Sequence, residues 1–315
     1  MRLRLKTLTA PLTLAFFSFY FLLTFSYLSS TPSSLLSKTS IRPQNLVLIP
    51  VIKTNRRRQR RLEENLCGLS YPEKGGVEIV FSADQTSAAL ITLTRLIACG
   101  YSGANLSVIL ESQNENELQP QEADKRHSYS SQASRRIKIA KARNALLQNS
   151  LKNYHKTVFW LDSDLLTFPS YSFKLLSTSK FDIAVPLCAN SDGRGVYDLN
   201  TWIETEESIY NMKRMDESGR KDEPIFEGYG KNTFRESIGS FVKNRMPPDA
   251  TPNYGVEVDG IGGTMIFSKA EVYRSGVEFA EDIFEHCLET EGFAKIAKSK
   301  GWKVGALTNL VITHA

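Results

Sequence analysis

Short runs of aliphatic and aromatic residues alternate with longer amphipathic stretches through the first half of the chain. Strand-like runs lie at Asn45–Ile52, Val77–Ser82 and Leu106–Leu110, and helix-like stretches at 56–69 and 86–99 separate them. Apolar residues at roughly helical spacing indicate the helices, whereas β-branched residues indicate the strands. This alternation predicts an α/β domain whose sheet is mixed but mostly parallel, with helices on both faces.

The second half of the chain predicts further elements of both kinds. We expect a helix at Ser134–Leu147, a buried strand at Thr157–Leu161 and another strand at Phe181–Leu187. Two polar stretches, 111–131 and 208–252, predict a loop and an irregular insertion. The remaining predicted elements are a strand ending at Phe267, a short helix at Ser268–Gly276, a helix beginning at Glu289 and a last strand at Trp302–Leu307.

An uncharged apolar run near the N-terminus predicts a membrane anchor. Its centre, Leu8–Leu28, is as long as the roughly 20 residues that a helix needs to cross a bilayer. Arg2, Arg4 and Lys6 precede it and favour a cytosolic N-terminus, and a cleaved signal peptide is the alternative. We predict a cytosolic tail over 1–7, a signal anchor over 8–28, a luminal stem rich in Ser, Thr and Pro over 29–44, and a globular domain over 45–315.

Composition and charge narrow the classes of partner. The 315 residues are 41% hydrophobic and 23% charged, which is ordinary for a globular protein. The net charge of +5 comes from basic clusters at 2–6, 56–61 and 135–143, and it suits an anionic substrate as well as a nucleic acid. Because the sequence contains neither zinc-ligand spacing nor a nucleic-acid-binding motif, we expect no nucleic acid partner. The cluster at 56–61 is then interpreted as a solvated helix face.

The four cysteines leave two possibilities open. Cys67, Cys99, Cys188 and Cys287 are far apart and form no Cys-x-x-Cys pair. One or two disulfides would form in an oxidising compartment, whereas four buried free thiols are equally compatible with the sequence.

The clearest chemical signal is Asp162-Ser163-Asp164, directly after the buried strand at Thr157–Leu161. Ligands of open α/β sheets bind at the carboxyl ends of strands. Two neighbouring carboxylates repel each other unless a cation lies beside them, and Mg²⁺ or Mn²⁺ takes such oxygens together with phosphate. The pattern predicts a metal-bridged nucleotide-diphosphate site; a solvated turn is the alternative. Arg136 and Arg143 lie near one helix face that would reach the diphosphate, unless that face is merely solvated.

Seven blocks of sequence, taken in order, resemble the fungal Golgi mannosyltransferases of glycosyltransferase family 62, the subunits of the mannan polymerase complexes. Each block is short, but their order and approximate spacing also match, from about Asn45 to His314. The blocks are 140–147 (AKARNALL), 160–164 (WLDSD), 197–202 (YDLNTW), 227–229 (EGY), 258–264 (VDGIGGT), 274–277 (RSGV) and 289–295 (ETEGFAK).

The resemblance implies a GT-A, Rossmann-like catalytic domain over 45–315 in a single-pass type II Golgi membrane protein, with that domain in the lumen. It also implies retaining α-mannosyl transfer from GDP-mannose, with Mn²⁺ as cofactor, to extend mannan or N-glycan chains. Related mannosyltransferase subunits are the implied partners in a hetero-oligomer. A non-catalytic scaffold subunit of such a complex is the alternative.

The resemblance also implies roles for particular residues. Asp164 is the expected metal ligand, with Asp162 near the metal or the donor ribose, and His314 is a further expected ligand. Arg136 and Arg143 are expected to be donor-phosphate or structural contacts, and Asn144 and Asp162 are expected to contact the donor. Asp259 and Glu291 are the candidate catalytic residues that contact the sugar or the acceptor, without an assignment as nucleophile or base.

Overall fold

The computed structural model describes residues 42–52, 56–70, 72–83, 86–110, 129–229 and 232–314. Residues from Arg42 onwards belong to one compact unit. The predicted anchor at 8–28, the stem up to residue 41 and most of the predicted loop, 111–128, lie outside the described residues. In the described ranges, no helix is both long and apolar enough to cross a membrane.

The described residues form thirteen strands and eight α-helices. The strands are β1 (Asn45–Ile52), β2 (Val77–Ala83), β3 (Leu106–Leu110), β4 (Thr157–Leu161), β5 (Leu165–Thr167), β6 (Ile183–Ala189), β7 (Trp202–Ile203), β8 (Glu236–Ser237), β9 (Gly255–Glu257), β10 (Met265–Lys269), β11 (Ala280–Phe284), β12 (Cys287–Leu288) and β13 (Val304–His314). The helices are α1 (Arg56–Cys67), α2 (Thr86–Ala98), α3 (Tyr129–Ser150), α4 (Ser172–Ser177), α5 (Glu206–Glu217), α6 (Ile238–Asn244), α7 (Ala270–Arg274) and α8 (Glu289–Ser299).

A nine-stranded mixed sheet forms the centre of this part of the chain, in the order β3-β2-β1-β4-β10-β6-β13-β5, with β9 also paired to β13. Strands β1 to β4 run parallel to one another, and β13 runs parallel to β6. Strand β10 is antiparallel to both β4 and β6, and β5 and β9 are antiparallel to β13. The sequence-based prediction of a mixed, mostly parallel α/β sheet is confirmed.

Both faces of the sheet are buried, as the near-continuous apolar strands require. Successive side chains of a strand point to opposite faces. In β4, Phe159 and Leu161 pack with α1, α2 and α4, whereas Val158 and Trp160 pack with α3, α6, α7 and α8. All four side chains are fully buried, and burial of each stabilises the fold by about 1.5–3 kcal/mol. The sheet is therefore a rigid base for the polar residues at its edge.

The structure contains short elements that the sequence did not predict, namely β5, β7, β8, β9, β11, β12 and α4, and it differs from the predicted elements in three further places. The polar stretch 208–252 is not irregular throughout, because it contains most of α5 and all of α6. Helix α5 buries little apolar surface and is instead capped by a reciprocal pair of hydrogen bonds between Thr205 and Ser208. Helix α3 begins at Tyr129 rather than Ser134, and β13 continues past Leu307 to residue 314.

One disulfide joins the two helices that follow β1 and β2. Cys67 at the end of α1 is bonded to Cys99, one residue after α2. Cys188 and Cys287 are buried free thiols. The cross-link ties together two neighbouring helices of the same face, so one of the two disulfides that the sequence allows is present.

Candidate active site

The two aspartates follow β4 at the carboxyl end of the parallel strands. The backbone amide of Asp162 donates to the carbonyl of Thr264 at 2.9 Å, which fixes the first residue after the strand. After Asp164 the chain immediately enters β5, which pairs with β13. Both carboxylates are therefore held on a short connection between two strands of one sheet, at the edge where ligands of such sheets bind.

Asp164 lies between a histidine and an arginine from distant parts of the chain. The pairing of β5 with β13 sets His314 opposite Leu165, and His314 Nε2 lies 3.0 Å from Asp164 Oδ1. Arg58 Nη1, on the first turn of α1, lies 3.6 Å from Asp164 Oδ2. Burial raises the pKa of Asp164, but the His314 hydrogen bond and these neighbouring groups outweigh it, so the pKa lies below its usual range.

Asp162 pairs with a buried arginine of α3. Arg143 Nη2 lies 3.2 Å from Asp162 Oδ1, and it also donates to the Gly263 carbonyl at 3.1 Å. Burial raises the pKa of Asp162 to about 7; Arg143 opposes this shift, whereas the negative charges of Asp164 and Glu289 add to it. The site therefore concentrates negative charge that a further cation would neutralise.

Arg143 itself has unused hydrogen-bonding capacity. Its side chain is 4% exposed, yet Nη1 and Nε have no hydrogen-bond partner among the described residues. Glu289 Oε1 is 3.4 Å from Nε, outside hydrogen-bond geometry. Leaving a buried donor unpaired is costly, and a planar guanidinium suits phosphate oxygens. The guanidinium is therefore a cationic group of the kind that binds a diphosphate.

The two glutamates at the start of α8 face different partners. Glu291 is fully buried, forms an ion pair with Arg136 and accepts a hydrogen bond from Trp202 Nε1 at 2.8 Å. Glu289 has a left-handed backbone, with φ of 51°, and its carboxylate lies beside Arg143. Such strain in a residue other than glycine costs about 1–3 kcal/mol and clusters at functional sites. Sequence reasoning selected Glu291 and missed Glu289, because nothing in their spacing distinguishes the two.

Three other predicted site residues make their contacts elsewhere. Arg136 bonds Asn200 Oδ1 at 3.0 Å besides pairing with Glu291. Asn144 holds both the amide and the carbonyl of Phe279, each at 2.9 Å. Asp259 pairs with Lys298 and accepts from the Glu204 amide at 2.8 Å. The structure thus brings together Arg143, Asp162, Asp164 and His314, while Arg136, Asn144, Asp259 and Glu291 have partners within the surrounding framework.

The loop after β6 adds two residues that sequence reasoning did not assign to the site. The ring of Tyr197 stacks on His314 with centroids 3.8 Å apart and planes 8° from parallel. Burial and the nearby aspartates raise the pKa of Tyr197 to about 12, so its hydroxyl keeps its proton at neutral pH. Asp198 is buried against Gly262, where a Cβ would lie 1.5 Å from its Oδ2, and burial raises the pKa of Asp198. Both residues belong to the YDLNTW block, which was the signal available in the sequence.

The donor set at this edge is of the kind that Mn²⁺ takes. Asp162 and Asp164 supply carboxylate oxygens and His314 supplies an imidazole nitrogen, as such a cation prefers. No three His, Cys, Asp or Glu side chains are grouped as a metal site within the described ranges. His314 and Asp164 instead bond each other. The chemistry of the residues fits the metal, and binding would replace this mutual hydrogen bond.

Comparison with known proteins identifies the family. The sequence profile of the Anp1 family matches residues 26–282. The chain belongs to the Anp1 family. The relatives of this Anp1-family chain include the mannan polymerase I complex VAN1 subunit of Saccharomyces cerevisiae, with 36% identity over 195 residues that cover 60% of this chain and 35% of the relative. The mannan polymerase II complex anp1 subunit of Schizosaccharomyces pombe is 37% identical over 200 residues, covering 62% of this chain and 45% of that relative.

These matches confirm the family resemblance inferred from the sequence blocks. The matched part of the Anp1-family chain spans less than half the length of either relative. One similar solved structure is that of the mannosyltransferase PcManGT from Pyrobaculum calidifontis, in complex with GDP-Man and Mn²⁺. The match covers 95% of this chain and 64% of the PcManGT chain, with 14% identity and a TM-score of 0.44. Likeness at this level carries no argument about donor or metal.

Proposed function

We propose that this chain is a metal-dependent retaining α-mannosyltransferase with a GT-A catalytic domain, using GDP-mannose to extend mannan or N-glycan chains. Membership of the Anp1 family and the names of the relatives as mannan polymerase subunits support this class of reaction. The observation that carries the proposal is the buried, incompletely bonded guanidinium of Arg143 beside Asp162. It supplies cationic donors where the chain also concentrates carboxylates.

Different residues would bind the diphosphate and the metal ion of the donor. The guanidinium of Arg143, which lies beside Asp162 and near the rings of Trp160 and Phe279, would offset the charge of the diphosphate leaving group. Asp164 and His314, with Asp162, would hold Mn²⁺, which supplies Lewis-acid stabilisation of the departing GDP. Arg143 and His314 are buried, which strengthens their electrostatic contacts, while the side chains of Asp162 and Asp164 remain 27% and 30% exposed to a ligand.

Two buried carboxylates are the candidates to face the transferred sugar. Asp198 lies against Gly262, and Glu289 is held beside Arg143 by its left-handed backbone. We assign the sugar-facing role to these residues rather than to Glu291, which holds Arg136 and Trp202. Asp259 would act further from the donor, since Lys298 and the Glu204 amide occupy its carboxylate.

Location and assembly follow from the same proposal. The apolar run at 8–28 would anchor the chain in the Golgi membrane as a type II protein, with the catalytic domain in the lumen. The Cys67–Cys99 disulfide supports an oxidising compartment. Because both relatives are named as subunits of complexes, we expect a hetero-oligomer with related subunits.

The first test is donor-dependent thermal stabilisation of the full chain. GDP should raise the melting temperature only with Mn²⁺, and Asp164→Ala should abolish the shift while the exposed control Asp249→Ala keeps it. Loss of one preorganised electrostatic contact costs about a hundred- to a thousandfold in turnover. A normal transfer rate from GDP-mannose for Asp164→Ala would refute the proposed role of the aspartate.

A non-catalytic scaffold subunit is the second candidate function. The observation in its favour is that His314 and Arg58 already lie against the two oxygens of Asp164. A scaffold would assemble with a related subunit but show no shift with GDP and Mn²⁺. Mannan synthesis by that assembly would then be unchanged by Asp164→Ala, whereas a catalytic subunit would lose it.

A further inference from the structure

Two large apolar side chains stand exposed beside the candidate active site. Tyr197 is 44% exposed and Leu199 is 42% exposed, on the loop between β6 and β7. Between them lies the buried Asp198. Single exposed apolar side chains are common on protein surfaces, so what distinguishes Tyr197 is its place against His314.

The ring of Tyr197 is held in a fixed orientation. Its backbone amide donates to the Cys188 carbonyl at 2.8 Å, and the preceding Val196 forms a β-bridge with Ala189. His314 covers one face of the ring in a nearly parallel stack. Because 44% of the residue remains exposed, its remaining surface is presented to solvent at the mouth of the site.

The apolar surface continues beyond Tyr197. Leu199 packs on Gly228, where a Cβ would lie 2.8 Å from its Cδ1. The next residue, Tyr229, makes edge-on contacts with Tyr129 and Phe226, with centroids 6.4 and 6.2 Å apart. A fixed aromatic ring thus lies next to His314, and an exposed aliphatic side chain follows two residues later on the same loop.

We propose that Tyr197 and Leu199 form the platform on which a pyranose ring of the saccharide acceptor packs. A pyranose has an apolar face of C–H groups that suits an aromatic ring. The position follows from the reaction, because the acceptor hydroxyl must reach the sugar of the donor. This inference rests on the proposed function, and it adds the place and chemistry of acceptor binding.

The test measures binding of α-mannotriose to the full chain by calorimetry, with and without GDP and Mn²⁺. Tyr197→Ala should weaken binding about tenfold, equivalent to about 1.4 kcal/mol, and Tyr197→Phe should stay within about threefold of wild type. Tyr210→Ala is the matched control, because Tyr210 is 63% exposed on α5 and contacts Arg214 rather than the site. Affinity for GDP with Mn²⁺ should fall less than affinity for α-mannotriose in Tyr197→Ala, which removes the ring stacked on His314. It should stay within about twofold of wild type in Tyr197→Phe and Tyr210→Ala.

The outcomes separate this inference from the proposed function. If Tyr197→Ala lost the same affinity for α-mannotriose and for GDP with Mn²⁺, the tyrosine would act only by positioning His314. That result would refute the proposed platform. Unchanged α-mannotriose binding in that variant, or no binding by wild type, would also overturn it. Binding of α-mannotriose that depends on Tyr197 in a chain that binds no GDP would uphold the platform while refuting the mannosyltransferase.

Discussion

The assignment of Glu291 to the framework rather than to catalysis has a measurable consequence. Its side chain is fully buried and Arg136 is 5% exposed, so Glu291→Gln leaves the guanidinium buried without its counter-charge. Breaking such a pair costs about 3–5 kcal/mol. For a domain of this size, each kcal/mol lowers the melting temperature by about 2–4 °C. We therefore expect a fall of about 6–20 °C, measured by calorimetry.

Two further variants make this measurement specific. A glutamine at 291 can still accept a hydrogen bond from Trp202 Nε1. The loss of stability in Glu291→Gln therefore measures the effect of removing the negative charge. Glu289→Gln should change stability by less than about 2 kcal/mol, since Arg143 keeps Asp162, while transfer activity falls. The double change Arg136→Met with Glu291→Met should recover stability because it removes both charges. Wild-type stability of Glu291→Gln together with lost transfer would refute the reasoning.

Two further predictions concern pH and the disulfide. Because the pKa of Asp162 is raised to about 7, binding of GDP with Mn²⁺ should weaken up to about tenfold per pH unit below pH 7. Asp162→Asn should reduce this dependence in titrations from pH 5.5 to 8, and an identical profile would contradict it. Cys67→Ser opens a cross-link between residues 32 apart and should lower the free energy of unfolding in urea by about 3.7 kcal/mol. A reductant should lower the unfolding free energy of the wild-type protein by the same amount. An unchanged unfolding free energy would show that the disulfide is not formed.

Local patterns predicted much of the fold. The strands β1 to β4 and the helices between them were recognisable because burial on both faces leaves continuous apolar runs in the sequence. Strand β5 was missed since three residues carry no readable period. The polar helix α5 was missed because hydrogen-bonded caps, rather than an apolar face, define its start. The extension of β13 depends on its neighbours in the sheet, which spacing alone does not show.

The site was harder to predict because its contacts are tertiary. Arg136 and Arg143 share a helix face, but seven residues separate them by about 10 Å along the axis. Arg143 therefore reaches Asp162, whereas Arg136 meets Glu291. Arg58 belongs to the basic run that the sequence analysis interprets as a solvated helix face. It contacts Asp164 because it lies in the first turn of α1, and the sequence alone does not show where that turn lies relative to β4.

The hydrogen bond between Asp164 and His314 joins residues separated by 150 positions, and the Arg136–Glu291 pair joins residues separated by 155. Closing loops of this length costs entropy before any contact forms, and topologies with distant contacts fold slowly. We expect β1 to β4 to associate early and the polar edge to be completed last. Donor binding would then act on the last step of folding. A ligand present at about a hundred times its Kd stabilises the native state by about 2.7 kcal/mol. If the proposed donor binds, nucleotide supply would therefore shift the folding equilibrium toward the completed site.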